Sequence, residues 1–143
     1  MDDYLKKSVS LADAEKMVTA AKAKAIELNM AIAITIVDES GITKLFARMD
    51  NAPLIAVDAS RKKAVTAVSF GIPTGDSWFS FIKDDPMLRE GVHDFKDFML
   101  MGGGMPVVSG NQVIGAIGIS GGHYLQDQEC AQSALDSLYN QVC

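Results

Sequence analysis

Two cysteines and two histidines are all that this 143-residue chain offers to a soft metal ion or a redox couple. Cys130 and Cys143 stand alone, with no CxxC, no CxxCH and no metal-finger spacing, so no disulfide framework, covalent c-type haem or zinc site is expected. Positive charge is also scarce. Thirteen Lys and Arg against eighteen Asp and Glu leave a formal net charge of −5, whereas a surface for nucleic-acid phosphates needs a concentrated cationic excess. The basic cluster Arg61-Lys62-Lys63 is too small to reverse that balance. No apolar run reaches the roughly 18 residues of a membrane span, and no charged leader followed by an apolar stretch opens the chain. A cytoplasmic protein with no nucleic-acid and no membrane partner is therefore expected. At 143 residues and 48% hydrophobic, the chain suits a single domain over 1–143 with one core.

What the chain does have is glycine, and it is concentrated: eight of the twelve lie in residues 102–122, GGGMPVVSGNQVIGAIGISGG. Glycine inside an apolar run costs backbone entropy on folding, so either a ligand or a neighbouring helix must approach the main chain there. The run predicts a strand over Met105 to Val108, a turn at Ser109-Gly110-Asn111 and a strand over Gln112 to Ser120, with glycine-rich ends that suit a pocket rim. Upstream, Leu11, Ala14, Val18, Ala21, Ala25 and Leu28 recur at helical spacing, predicting a helix over about 11–29 capped by Ser10. Strands Met30 to Val37 and Ile42 to Arg48 flank an Asp38-Glu39-Ser40-Gly41 turn. After Pro53, Leu54, Val57, Ala64, Val65 and Val68 outline a second helix ending near Gly71. Residues 75–98 hold five of the ten aromatics (Trp78, Phe79, Phe81, Phe95, Phe98) and predict short helices. A last helix is expected from about Tyr124 to Tyr139, with Ala131, Ala134, Leu135 and Leu138 inward. This order favours an α+β fold, an antiparallel sheet with helices packed on it, over a parallel βαβ sheet.

Chemistry-bearing patterns are few. Gly118-Ile119-Ser120-Gly121-Gly122 matches the G-x-S-x-G of a nucleophile elbow, but His123 is the only histidine downstream and is too near to act as a triad base, so Ser120 is better taken as a strand-end hydrogen-bonding group. Neither GGGMP nor GAIGISGG fits G-x-G-x-x-G at a strand-to-helix turn, and no P-loop occurs, so no NAD and no ATP site is expected. Gly121, Gly122 and His123 precede a helix whose first amides could hold a carboxylate or phosphate, with Asp127 competing for that place. His123 is either a metal or haem-iron ligand, a proton-transfer group, or a rim histidine without a role. Met99, Met101 and Met105 are either the lining of a soft apolar pocket or core filler. The aromatics of 75–98 are pocket wall, subunit contact or core.

Phe46-Ala47-Arg48-Met49-Asp50, Lys63-Ala64, Phe70, Thr74, GGGMP at 102–106, GAIGISGG at 115–122 and Gln126-Asp127, taken in this order, carry a resemblance. From about Leu11 onward the chain resembles the GlcG/HbpS family of small haem-associated proteins, also found as the C-terminal domain of PduO-type proteins. The resemblance implies a profilin-like fold with a five-stranded antiparallel sheet, homo-oligomers, company with glycolate, diol or glycerol catabolism, and in some relatives haem binding or links to cobalamin. This chain departs from the family pattern at His123, where Thr or another small residue is expected, and at Leu125, where Glu commonly precedes Gln-Asp. The expectation is a cytoplasmic, oligomeric accessory protein that binds haem or a related tetrapyrrole as its small-molecule ligand. Gly102, Gly103, Gly104, Gly121 and Gly122 would admit the ligand beside Ser120 and Asp127, Arg48 next to Asp50 would pair with a carboxylate or propionate, and His123 would ligate the iron. Two alternatives stand beside it. One is a small enzyme acting on a hydroxy acid, aldehyde or diol-derived metabolite, with His123 and Asp127 moving protons and Arg48 gripping a carboxylate. The other is a structural partner of a larger catabolic complex.

Overall fold

The computed structural model describes residues 1–139; Cys143 lies outside them. Helix α1 (Leu11–Glu27) starts where the Ser10 side chain accepts the amide of Asp13, and its buried stripe is Ala14, Met17, Ala21 and Ala25. It ends two residues before the expected boundary, as Asn29 turns to a positive φ of 56°. Strands β1 (Ala33–Asp38) and β2 (Thr43–Arg48) form a hairpin whose turn is tied by Asp38 Oδ1, which accepts the amides of Ser40 and Ile42. Helix α2 (Ile55–Phe70) stops at Gly71 in the left-handed conformation, φ 72°. The aromatic segment holds helices α3 (Asp76–Ile82) and α4 (Pro86–Gly91) and a 3₁₀ turn, Val92–Asp94. Strands β3 (Gly104–Ser109) and β4 (Gln112–Ser120) form the second hairpin, and α5 (Tyr124–Tyr139) follows.

Among the described residues the sheet has four strands in the order β2-β1-β4-β3, all antiparallel, not the five that the family resemblance implies. The segment before α1 comes closest to a further strand, and the hydrogen bond from Val9 N to Ile114 O does not extend into a ladder. The stretch between α2 and β3 holds two short helices and a 3₁₀ turn and no strand.

Alternation along each strand sends residues to opposite faces. Ile34, Ile36, Ile117, Ile119, Met105 and Val107 face α1 and α5 and make the main core with Met17, Cys130 and Ala134. Val37 and Ala116 face α2 and pack on Ala64 and Ala67. The buried residues of α2 are Ala56, Ala59, Ser60, Lys63, Ala64, Thr66 and Ala67, while Leu54, one of the apolar residues that outline the helix in the sequence, is 82% exposed. Small residues are required because α2 lies directly on glycine: a Cβ on Gly118 would run into the Ser60 carbonyl and, at 2.6 Å, the Ala64 amide nitrogen. The approach inferred from the glycines is therefore, at Gly118, that of a helix. Trp78, Ile82 and Val92 form a separate cluster with Phe98 and Leu100, the Phe70 ring standing edge-on to Trp78 at 4.7 Å. Phe79, Phe81 and Phe95 remain exposed.

Candidate functional site

The C-terminal end of β4 delivers the chain into α5 across Gly121 and Gly122, while α2 crosses the same sheet face. Where they meet, Lys63 of α2 reaches through the packing to Asp127 in the first turn of α5. Its Nζ lies 3.0 Å from Asp127 Oδ2 and 2.9 Å from the Ile119 carbonyl, and the other carboxylate oxygen accepts the Gly122 amide at 3.0 Å. Both side chains are 2% exposed. Burial pushes the Asp127 carboxyl above the usual carboxylate range and the Lys63 ammonium below the usual lysine range, and each charge opposes the shift of the other. The Gly102–Gly104 run passes under this pair. Gly103, φ 127°, has no space for a side chain, since a Cβ would stand 2.5 Å from the Ile119 carbonyl and 3.1 Å from Lys63 Nζ. The same loop is fixed to the connection between α2 and α3 by a reciprocal contact: Thr74 N donates to the Gly104 carbonyl and Gly104 N to Thr74 Oγ1, each at 2.9 Å.

Above the pair opens a cleft of about 430 Å³. One wall is α2, with Ile55, Asp58, Ala59 and Lys62; the other is Met99, Met101 and Tyr124; Ser120, Gly122, Lys63 and Asp127 form the floor. Met99 is held by its amide, which donates to Thr66 Oγ1, a hydroxyl that also bonds the Lys62 and Asp97 carbonyls. Lys62 gives one of its three donors to Asp58, Nζ to Oδ2 3.3 Å. Arg61, one residue along, is turned away and grips Asp97 with both terminal nitrogens at 3.1 Å, which holds that carboxyl below its usual range. A smaller depression of about 190 Å³ adjoins the cleft, lined by Gly75, Asp76, Phe79, Leu100 and Gly102 and sharing Met101 and Tyr124 with it.

The structure thus brings Ser120, Gly122 and Asp127 together in the cleft and Gly102 next to it. Gly103 and Gly104 are covered by Lys63, and Gly121 by the Ala31–Ile32 backbone, so these three contact protein. Arg48 ends β2, exposed, in the row Arg48, Ala33, Ser120. That places it two strands from the cleft floor, roughly 10 Å at ordinary strand spacing. Asp50 is exposed in the turn beyond it. Neither lines the cleft.

His123 caps α5 rather than leaving its amides to an anion. Its Nδ1 accepts the Leu125 amide at 3.2 Å, its own amide donates to Gln126 Oε1 at 3.2 Å, and its carbonyl takes the amides of Gln126 and Asp127. The imidazole lies against the Tyr124 ring at 4.2 Å and does not line the cleft. Of the three methionines weighed, Met99 and Met101 line the cleft and Met105 is core.

Sequence reasoning missed Lys63 as the partner of Asp127. The signal was present, since Lys63 stands one turn from Ala59 and one from Ala67 on the small-residue stripe of α2, where a charge requires a buried counter-charge. It also missed Lys62, Ile55 and Tyr124, whose roles as lining depend on where α2 and α5 cross.

The family model described as haem degrading protein HbpS-like matches residues 9–136. An uncharacterized 15.0 kDa protein in the dhaT-dhaS intergenic region of Citrobacter freundii is 34% identical over 90% of this chain and 91% of that protein. The corrinoid adenosyltransferase PduO of the same organism is 28% identical over 92% of this chain, which spans 39% of its length. The crystal structure of Klebsiella pneumoniae protein ORFY superposes with a TM-score of 0.89 at 34% identity, covering 99% of this chain and 98% of that one. The PduOC:haem complex superposes with a TM-score of 0.84 at 29% identity, covering 91% and 94%. Among the described residues no helix is long and apolar enough to cross a membrane.

Proposed function

This chain belongs to the HbpS-like family, and from that premise we propose that it is an accessory protein that binds haem or a related tetrapyrrole in the cleft between α2 and the start of α5. The observation that carries the proposal is the chemistry of that cleft. A flat apolar macrocycle with ionised propionates needs apolar walls, a soft donor within reach and a cation at one edge. Ile55, Ala59, Met99, Met101 and Tyr124 supply the walls, the methionines are soft donors, and Lys62 is the cation. About 430 Å³ falls inside the roughly 300–1,000 Å³ of small-molecule sites. The residues present therefore fit the group. A bound haem would supply iron and its redox chemistry; the chain supplies walls, a propionate partner and a floor that is already internally paired.

Arg48 lies too far along the sheet to be the first propionate partner, and Lys62 takes that role. Proton transfer by His123 and Asp127 is disfavoured, because Asp127 is buried against Lys63 and His123 is engaged at the helix cap. Exposed Phe79, Phe81 and Phe95 support assembly into homo-oligomers. The buried free thiol of Cys130 suits a reducing compartment, so the cytoplasm is the proposed location. The relatives' names, one an intergenic dha protein and one a corrinoid adenosyltransferase, support a place beside diol or glycerol catabolism and cobalamin chemistry. Titration of the purified protein with hemin tests the reading: a Soret shift saturating at one haem per chain at micromolar protein is expected, and an unshifted spectrum overturns it.

A further inference from the structure

Resting on the haem reading, we propose that the thioether of Met101 is this chain's own ligand to the iron, and that His123 is not. The two depressions on this face share two lining residues, Met101 and Tyr124. A flat ligand that spanned both would meet Met101 and Tyr124 in each and Lys62 in the larger one. A haem held this way would take its iron ligand from the residues that the two depressions share.

Neither depression is lined by histidine or cysteine. Met101 is 52% exposed, unbranched and free to turn its sulfur, and a thioether ligates without losing a proton. Tyr124 would have to give up its phenolic proton to ligate, a step that a thioether does not need. Met99 lines the larger depression only, with its backbone pinned at Thr66.

His123 is excluded by its tautomer as well as its place. Nδ1 accepts the Leu125 amide, so the neutral ring carries its proton on Nε2. Ligation through Nε2 would move that proton to Nδ1 and set two N–H groups against each other at the cap. The cap would have to break before the histidine could bind metal.

The experiment compares hemin-loaded wild type with Met101→Leu, Met99→Leu, Tyr124→Phe and His123→Ala, each checked by circular dichroism. Absorption and magnetic circular dichroism report the ligand, and potentiometry reports the haem potential. Wild type and H123A should take up hemin alike, and M101L, M99L and Y124F, which each lose a wall or ligand contact, more weakly, so the spectra are read on the loaded fraction. Wild type, M99L, Y124F and H123A should show the thioether-to-iron charge-transfer band, M101L should lose it, and the M101L potential should fall, since methionine ligation raises it. An unchanged M101L spectrum, or a band lost in M99L or H123A instead, overturns the assignment while leaving haem binding intact. Failure of wild type to bind hemin removes the haem reading itself, and the ligand with it.

Discussion

Replacing Asp127 by Asn leaves a lysine ammonium, 2% exposed, with a backbone carbonyl and a neutral amide for company. Breaking a buried pair by removing one partner costs about 3–5 kcal/mol, because the remaining charge stays desolvated. For a domain of this size that lowers Tm by about 10–15 °C. Lys63→Met should cost a similar amount, for it strands the Asp127 carboxylate with only the Gly122 amide. Opposite pH dependences separate the two variants from generic packing damage. Without its counter-charge Lys63 is pushed further below its unfolded value; it favours folding above that value, and the benefit is lost as pH falls through the folded one. D127N should therefore regain stability toward alkaline pH. Asp127 without Lys63 is pushed further up; it favours folding below its unfolded value, and the benefit is lost as pH rises through the folded one. K63M should regain stability as pH falls toward the carboxyl range. The double variant Lys63→Met/Asp127→Leu, with no buried charge, should recover most of the loss. Thermal and urea unfolding across pH measure all of this. Single-variant losses under about 1 kcal/mol, or pH profiles that slope the same way, would refute the buried ion pair as described.

Gly118→Ala should destabilise by at least about 1–3 kcal/mol at unchanged urea m-value, since its methyl meets α2 backbone that cannot rotate away; a neutral effect would mean that α2 does not lie on the sheet as described. Cys130 is fully buried and its thiol is pushed up to about 11 by desolvation first and by Asp127 second. In a Cys143→Ser background it should react with a thiol reagent only as fast as the protein opens, and rapid stoichiometric labelling of the native state would contradict its burial.

Strands and helix limits were legible where local chemistry acts alone. Ser10 caps α1, Gly71 ends α2, and Gln112–Ser120 is a strand because alternation and turn residues require it. What failed was judging the inward face of α2 by the size of its apolar side chains. Leu54 looks like core and is exposed, and Val68 packs only at the edge, because the closest helix-to-sheet contact lies over Gly118, where only alanine and serine fit. Hydrophobicity measures the gain from burial but not the gap available to be filled. The glycine run pointed to close approach and left helix and ligand equally open; Gly118 and Gly104 meet α2, while Gly122 and Gly102 line the two depressions. Sequence puts His123 after the glycine pair at the start of α5, but its hydrogen bond with the Leu125 amide depends on a rotamer that no sequence states. Arg48 follows the same rule: sequence places it at a strand end, and only the strand order β2-β1-β4-β3 puts two spacings between it and Ser120.

The two readings of Asp127, helix cap and site residue, turn out to be one arrangement. Its Oδ1 accepts the Gly122 amide ahead of α5, and its Oδ2 takes the Lys63 ammonium, which also holds the last turnward carbonyl of β4 at Ile119. Three elements are thereby fixed at the floor of the cleft: α2, which carries Ile55, Ala59 and Lys62; β4; and α5, which carries Tyr124. An apolar pair of similar volume would hold these elements together at no greater cost, since desolvating two charges offsets most of their attraction. Apolar contacts, however, are non-directional and permit sliding, whereas an ammonium with two acceptors and a carboxylate with two donors fix both distance and angle. The charges at the floor therefore contribute to the spacing of the cleft walls more than to the stability of the fold.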